Sequence, residues 1–238
     1  MTLQPIYKRI LLKLSGEALM GNSTNSFDPQ LLNRLANEII EIANAGIQVG
    51  IVIGGGNIFR GASLTTIGIN QVAADHIGML ATVMNALAMQ SVLEQHKRSA
   101  IVMSAITIGQ ICENYNYRRA IQYLEQGSIM LFTAGTGNPC FTTDSAASLR
   151  AIEINANLLI KATKVNGIYS ADPIKNPTAE FYPRLSYDQA IRDNLKVMDM
   201  SALALCRDYA MPLRILNIYE AGALMRLLHG EDVGSLVQ

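Results

Sequence analysis

Short apolar runs alternate with helix-spaced apolar positions along this 238-residue chain. Lys8 to Leu14 predicts a first strand, closed by the turn Ser15-Gly16. Residues 29 to 45 place Leu32, Leu35, Ile39 and Ile42 on one helical face, with Asp28-Pro29 as cap and first turn and Gly46 as the stop. Ile47 to Ile53 is a compact apolar run, as a parallel strand buried on both faces requires, and it leads into Gly54-Gly55-Gly56-Asn57. The pattern then predicts a long helix near 70–95, a strand at 100–104, a helix near 117–126 ended by Gly127, and a strand at 128–132. A glycine-bearing loop follows, then an Ala-rich helix opened by Thr142, Thr143 and Asp144, and a strand from Asn157 to Thr163. Residues 164–183 are rich in Gly, Pro and Asn, a length of punctuation that signals function or disorder. Helical patterns return near 186–210, before a strand at 213–217 and a last helix near 221–229.

Strands alternating with helices imply right-handed crossovers and a mainly parallel sheet. The expected fold class is α/β: one doubly wound domain over residues 1–238 with helices on both faces of the sheet. No repeat, low-complexity tract or long linker divides it. Ligands in such sheets sit beyond the carboxyl ends of the strands. Three glycine loops each follow a predicted strand, so all three are placed to face one crevice.

Composition narrows the partners. Lys plus Arg and Asp plus Glu number 19 each, so no global field favours nucleic acid or an anionic membrane. Cys112, Cys140 and Cys206 are scattered without CxxC spacing, which suits buried thiols in a reducing compartment. His76, His96 and His229 lack metal-ligand spacing. Lys13 interrupts the apolar run behind Lys8 and Arg9 too early for a signal peptide. Ile77 to Leu93 is uncharged but carries Thr82, Asn85, Gln90 and Ser91, and reads as a buried or subunit-interface helix rather than a membrane span. A cytoplasmic protein is expected.

The loops carry the chemistry. KLSGEALMG (13–21) has Gly-x-x-x-x-Gly without the following Lys-Ser/Thr, so it is no P-loop; Lys13 instead stands near the end of its strand, where an ammonium can reach a ligand. GGGNIFRG (54–61) lacks the third glycine of a dinucleotide fingerprint, and Asp75 lies in a helix rather than after a second strand. A three-glycine turn followed by Arg60 suits a phosphate, because backbone N–H groups approach closely and a guanidinium grips two oxygens. GTGNPCFTTD (135–144) sets Thr142 and Thr143 at a helix start, a ready anion cradle. Asp144 there either caps the helix or orients a cationic group or a metal-bound water. Lys161, Lys164, Tyr169 and Asp172 offer an apolar face for a base and an acid for hydroxyls.

In order, KLSGEAL, GGGNIFRG, DHIGMLATVMNALAM, GTGNPCFTTDSAA, KATKVNGIYSADPIKNPTA and KVMD resemble the bacterial uridylate kinases of the amino acid kinase superfamily, nearly end to end. The resemblance implies transfer of the γ-phosphoryl group of ATP to UMP, giving UDP and ADP with Mg²⁺, in pyrimidine nucleotide supply. It implies a cytoplasmic homohexamer of single amino acid kinase-like domains. Lys13, Arg60 and Asp144 would be catalytic. ATP would be held by Lys13, Leu14, Ser15, Gly16, Gly56 and Arg60, and on its nucleoside side by Thr163, Tyr169 and Asp172. UMP would lie against Gly55, Asp75 and the segment Thr136, Gly137, Asn138, Pro139, Cys140, Phe141, Thr142 and Thr143, with Thr136 and Asn138 reading uracil. Metal ligands are not assigned. GTP activation and UTP inhibition are the family's regulation, but Gly21 to Ser26 (GNSTNS) lacks the second glycine that many relatives carry there. Two alternatives keep the fold: a relative phosphorylating a carboxylate, such as an acetylglutamate or aspartate kinase, and a non-catalytic nucleotide-binding protein.

Overall fold

The computed structural model describes residues 5–21, 25–59 and 68–238. Its strands are β1 (Arg9–Leu14), β2 (Gln48–Ile53), β3 (Ala100–Ser104), β4 (Glu113–Asn114), β5 (Ile129–Thr133), β6 (Leu158–Thr163), β7 (Ile168–Tyr169), β8 (Phe181–Tyr182), β9 (Arg184–Leu185), β10 (Leu213–Asn217) and β11 (Ser235–Val237). Its helices are α1 (Glu17–Met20), α2 (Pro29–Asn44), α3 (Gln71–Gln95), α4 (Tyr117–Glu125), α5 (Thr143–Glu153), α6 (Tyr187–Arg192), α7 (Met200–Asp208) and α8 (Ala223–Leu228). Nine strands join in the order β4-β3-β5-β2-β1-β6-β10-β11-β9, while β7 and β8 pair separately. Within the large sheet only β10 and β11 run antiparallel. The expected doubly wound, mainly parallel architecture is what forms.

Both sheet faces are covered, which is why the central strands read as unbroken apolar runs. Successive side chains point to opposite faces. Ile10, Leu12 and Leu14 of β1 therefore pack with Leu35 and Ile39 of α2 and Met79 and Met89 of α3. Leu11 and Leu159 face the other way, against Ala147 and Ala151 of α5 and Leu203 of α7. Asp28 accepts from the N–H groups of Gln30 and Leu31 ahead of Pro29, confirming the cap read from the sequence. By length and composition α3 could cross a membrane. Here it buries Met79, Val83, Met89 and Leu93 in the core and exposes Val72, Leu80 and Met84.

The structure departs from the pattern-based reading in several details. The helical stretch near 186–210 splits into α6 and α7, because Asn194 takes a left-handed φ of 47° and Asp199 caps a new helix. The punctuated stretch 164–183 contains the antiparallel pair β7 and β8. β11 follows the last helix and closes against β10. Cys112 and Cys206 are buried, but Cys140 is exposed, since its left-handed φ of 68° belongs to a surface loop.

Candidate active site

Connections leave β1 toward β2 on one side, and β6 begins the other half of the sheet, so the topological switch lies between β1 and β6. The register sets Lys13 directly opposite Lys161, each one or two residues from the carboxyl end of its strand. By alternation both side chains turn to the face covered by α5, below which Leu11 and Leu159 are packed. Lys13 is only 9% exposed.

The N-terminus of α5 delivers the counter-charge. Thr142 is the cap, its hydroxyl oxygen accepting from the N–H groups of Asp144 and Ser145. The cap is therefore the Thr142 side chain, and the Asp144 carboxylate turns to the lysines. Its Oδ2 accepts from Lys161 Nζ at 2.7 Å. Its Oδ1 lies 2.7 Å from Lys13 Nζ in a second ion pair. Burial pushes the Asp144 carboxyl up, yet Lys13 and then Lys161 outweigh it and hold the group below its ordinary range. For Lys161 burial dominates and pulls the ammonium below its ordinary value; Asp144 opposes this and Lys13 adds to it. The two ammonium groups meet on one carboxylate in a partly dry site, where they stay close to an arriving anion.

Asp199, the cap of α7, extends the network. It accepts from Ser201 Oγ at 2.7 Å, from Ser145 Oγ at 3.1 Å and from the Thr142 hydroxyl. Burial raises this carboxyl, and the bonds from Ser201, Thr142 and the Ala202 N–H more than offset it.

The three glycine loops do converge. A Cβ on Gly16 would stand 2.5 Å from the Gly54 carbonyl oxygen and 2.9 Å from the Gly56 nitrogen. A Cβ on Gly54 would stand 3.4 Å from Thr143 Oγ1. The Leu14 carbonyl accepts from the Gly54 N–H at 2.9 Å. Gly55 presses on α3, where a Cβ would meet the Gly78 carbonyl at 2.8 Å, whereas a Cβ on Gly56 would meet nothing within 4 Å among the described residues. Asn85 of α3 donates to the Gly54 carbonyl at 2.6 Å and bonds Asn57, bracing the second loop. Asp75 reaches the third loop, accepting from the Cys140 N–H at 2.7 Å. Thr136 and Asn138 bond each other inside that loop, with Pro139 between Asn138 and Cys140 and Phe141 exposed beyond them.

Three cavities adjoin this cluster. One of about 600 Å³ is lined by Thr163, Tyr169, Asp172 and Leu195. A second of about 240 Å³ is lined by Lys13, Ser15 and Thr163, and a third of about 330 Å³ by Asp144 and Asp199. Lys161 lines all three. Arg60 lies outside the described residues. The sequence sets Lys161 with Lys164, Tyr169 and Asp172 in a nucleoside-facing segment but not beside Lys13, and Asp199 reads as an ordinary helix cap. The signal for Lys161 was its position, since ILLKLS and LLIKAT both break an apolar strand with a lysine near its end.

Among the described residues no three His, Cys, Asp or Glu side chains group to hold a metal. Magnesium is bound by one or two carboxylates with phosphates and waters rather than by a protein cage. Asp144 and Asp199, two carboxylates lining one cavity beside the glycine loops, are the donor type that fits an ion brought in on phosphates.

The model for the amino acid kinase family matches residues 8–217. The uridylate kinase of Methylococcus capsulatus is 62% identical over 234 residues, covering 98% of both chains. That of Xanthomonas oryzae pv. oryzae is 59% identical over 98% of this chain and 97% of its own. The crystal structure of UMP kinase from Bacillus anthracis superposes with a TM-score of 0.95 at 42% identity, over 98% of this chain and 96% of that one. A UMP kinase structure from Ureaplasma parvum gives 0.92 at 36% identity, over 97% and 98% of the two chains. This chain belongs to the amino acid kinase family, within the group of its uridylate kinases.

Proposed function

We propose that this chain is a nucleoside monophosphate kinase that transfers the γ-phosphoryl group of ATP to UMP, giving ADP and UDP. The observation that carries the reading is the Lys13–Asp144–Lys161 cluster at the switch point, where the glycine loops after β1, β2 and β5 converge. ATP lies along β1 and β6: its phosphates near Lys13, Ser15, Gly16 and Gly56, its nucleoside in the cavity of Thr163, Tyr169 and Asp172. UMP lies under the loop from Thr136 to Thr143, with Gly55 and Asp75 beside it. Arg60 is proposed as a further cation on the transferred group.

A phosphate acceptor needs no strong base, because its oxygen is already anionic near neutral pH. What the transfer needs is alignment of two polyanions and fixed positive charge around the moving group. The two ammonium groups, the N–H groups of the glycine loops and the start of α5 provide that field before substrate arrives. Asp144 and Asp199 would help hold a Mg²⁺ ion arriving with ATP, which when bound would supply further neutralisation of phosphate charge. Thr136 and Asn138 would pair uracil's polar edge, so that cytosine leaves them unpaired.

A cytoplasmic homohexamer, activated by GTP and inhibited by UTP, completes the proposal. Part of the departing segment at 21–26 lies outside the described residues; sedimentation tests the hexamer, and initial rates with added GTP or UTP test the regulation. For the reaction, ADP release is measured from ATP and Mg²⁺ with UMP, CMP, AMP or acetylglutamate as acceptor. Turnover with UMP alone is expected. Turnover with acetylglutamate would move the chain to a carboxylate-phosphorylating relative, and ATP binding without any turnover would make it a binding protein.

A further inference from the structure

Arg150, in the last turn of α5, is 4% exposed although it carries a full charge. Its Nη1 donates to Glu153 Oε2 at 2.6 Å, and its Nη2 donates to the Gly135 carbonyl at 3.3 Å. The guanidinium stacks over Tyr115, 3.7 Å from the ring centroid. Tyr115 in turn donates to Glu153 Oε2 at 2.5 Å and packs edge-on against Phe132 of β5. Apolar residues would fill this space without the desolvation that a buried guanidinium suffers. The planar fork does something they cannot: it holds a carboxylate and a backbone carbonyl at once.

That carbonyl stands in unusual backbone. Ala134 and Gly135 have φ of 60° and 61°, and Gly137 has 84°. Ala134 takes the left-handed conformation despite its Cβ, so its surroundings must enforce it. Thr82 Oγ1 accepts from the Ala134 N–H at 2.8 Å and Asp75 from the Cys140 N–H at 2.7 Å, both from α3. Arg150 supplies the opposing anchor, from α5 on the other face of the sheet.

We propose that Arg150 is a positioning residue for the acceptor nucleotide. By holding the Gly135 carbonyl it fixes the path of residues 136–143, and so sets how tightly and how selectively the acceptor base is held, without touching it. The inference rests on reading this loop as the acceptor's.

Arg150→Met keeps the stem and removes the fork; Arg150→Lys keeps the charge but offers a point in place of a fork. With each substrate varied in turn, Arg150→Met is expected to raise KM for UMP roughly tenfold, on the scale of a loop displaced by a fraction of an ångström. The preference for UMP over CMP falls with it, KM for ATP stays within about twofold, and Arg150→Lys lies between the two. A wild-type KM for UMP and a wild-type preference, at whatever melting temperature, would overturn the proposal. Equal rises in both KM values would do the same, since they would mean general loosening. Should Arg150→Met not fold, Tyr115→Phe removes one of the two bonds that hold Glu153 against Arg150 and is expected to shift the same two quantities more weakly; no shift in that folded variant would overturn the proposal. Amide exchange at residues 135–141 without substrate tests the clamp apart from the function. Faster exchange in the variant supports the clamp even if the parent protein is silent with UMP, and unchanged exchange overturns it.

Discussion

Replacing Asp144 by Asn keeps its size and removes the one negative charge between two ammonium groups, each 2.7 Å away. The side chains of Lys13 and Lys161 are 11% and 17% exposed, so water replaces little of the lost attraction. Removing one member of a buried pair costs about 3–5 kcal/mol. One route limits the damage. Lys161, already below its ordinary value, loses the partner that pulled it up and sheds its proton. An unfolded lysine titrates near about 10.4, so holding the amine neutral at about pH 7 costs about 5 kcal/mol, and at about pH 9 only about 2 kcal/mol. The sign follows from proton counting: the folded variant binds fewer protons at Lys161 than the unfolded chain, so its stability rises with pH toward the unfolded lysine value. Urea unfolding of both proteins should show a deficit of about 3–5 kcal/mol at about pH 7 that shrinks to about 2 kcal/mol or less at about pH 9. Turnover with UMP should fall about 10²-fold or more at both. A deficit below about 1 kcal/mol, or one indifferent to pH, would refute the claim that Asp144 lets the two lysines share this site.

Three further outcomes are expected. Lys13→Met should lower kcat by about 10²-fold or more; near-normal turnover would remove Lys13 from the mechanism. Gly16→Ala puts a methyl 2.5 Å from the Gly54 carbonyl, so β1 and β2 loops must part; about 1–3 kcal/mol of stability should be lost, together with most activity. Ser235, fully buried, accepts from the Ile168 N–H at 2.8 Å and donates to the Tyr182 carbonyl at 2.6 Å, tying the C-terminal strand to the wall of the large cavity. Ser235→Ala strands both groups, and should cost about 1–3 kcal/mol and raise KM for ATP but not for UMP, as paired initial-rate series would show.

What the chain disclosed before folding was whatever is local. Apolar strands ending in glycine, and a lysine breaking such a strand, are visible as strings, so Lys13 and all three loops could be placed. Lys161 breaks its strand in the same way, but its meaning comes from standing opposite Lys13, and register between strands far apart in sequence is a tertiary fact. Arg150 and Glu153, three apart on a helix, read as a solvated surface pair; only packing shows that the guanidinium is buried and turned onto Gly135. Asp199 looks like any capping aspartate, and capping is part of what it does. β4, β8 and β9 hold two residues each, too few for any period to register.

The same geometry indicates where acceptor choice must reside. Lysine stems are flexible, and two of them with no common partner would scatter their charges. Because Asp144 holds both ammonium groups at 2.7 Å, their field is fixed before any substrate binds, which is the condition for it to lower a barrier rather than merely attract. On the proposed reading that field acts on the transferred phosphoryl group, and it would act similarly whether the acceptor were a phosphate or a carboxylate. It therefore cannot tell the two apart. The discriminating contacts have to come from the far side, from Gly55 against α3 and from the left-handed loop pinned by Thr82, Asp75 and Arg150. Substitutions in the lysine–aspartate cluster should consequently depress turnover with every acceptor alike, and only those in the loop and its anchors should change which acceptor is preferred.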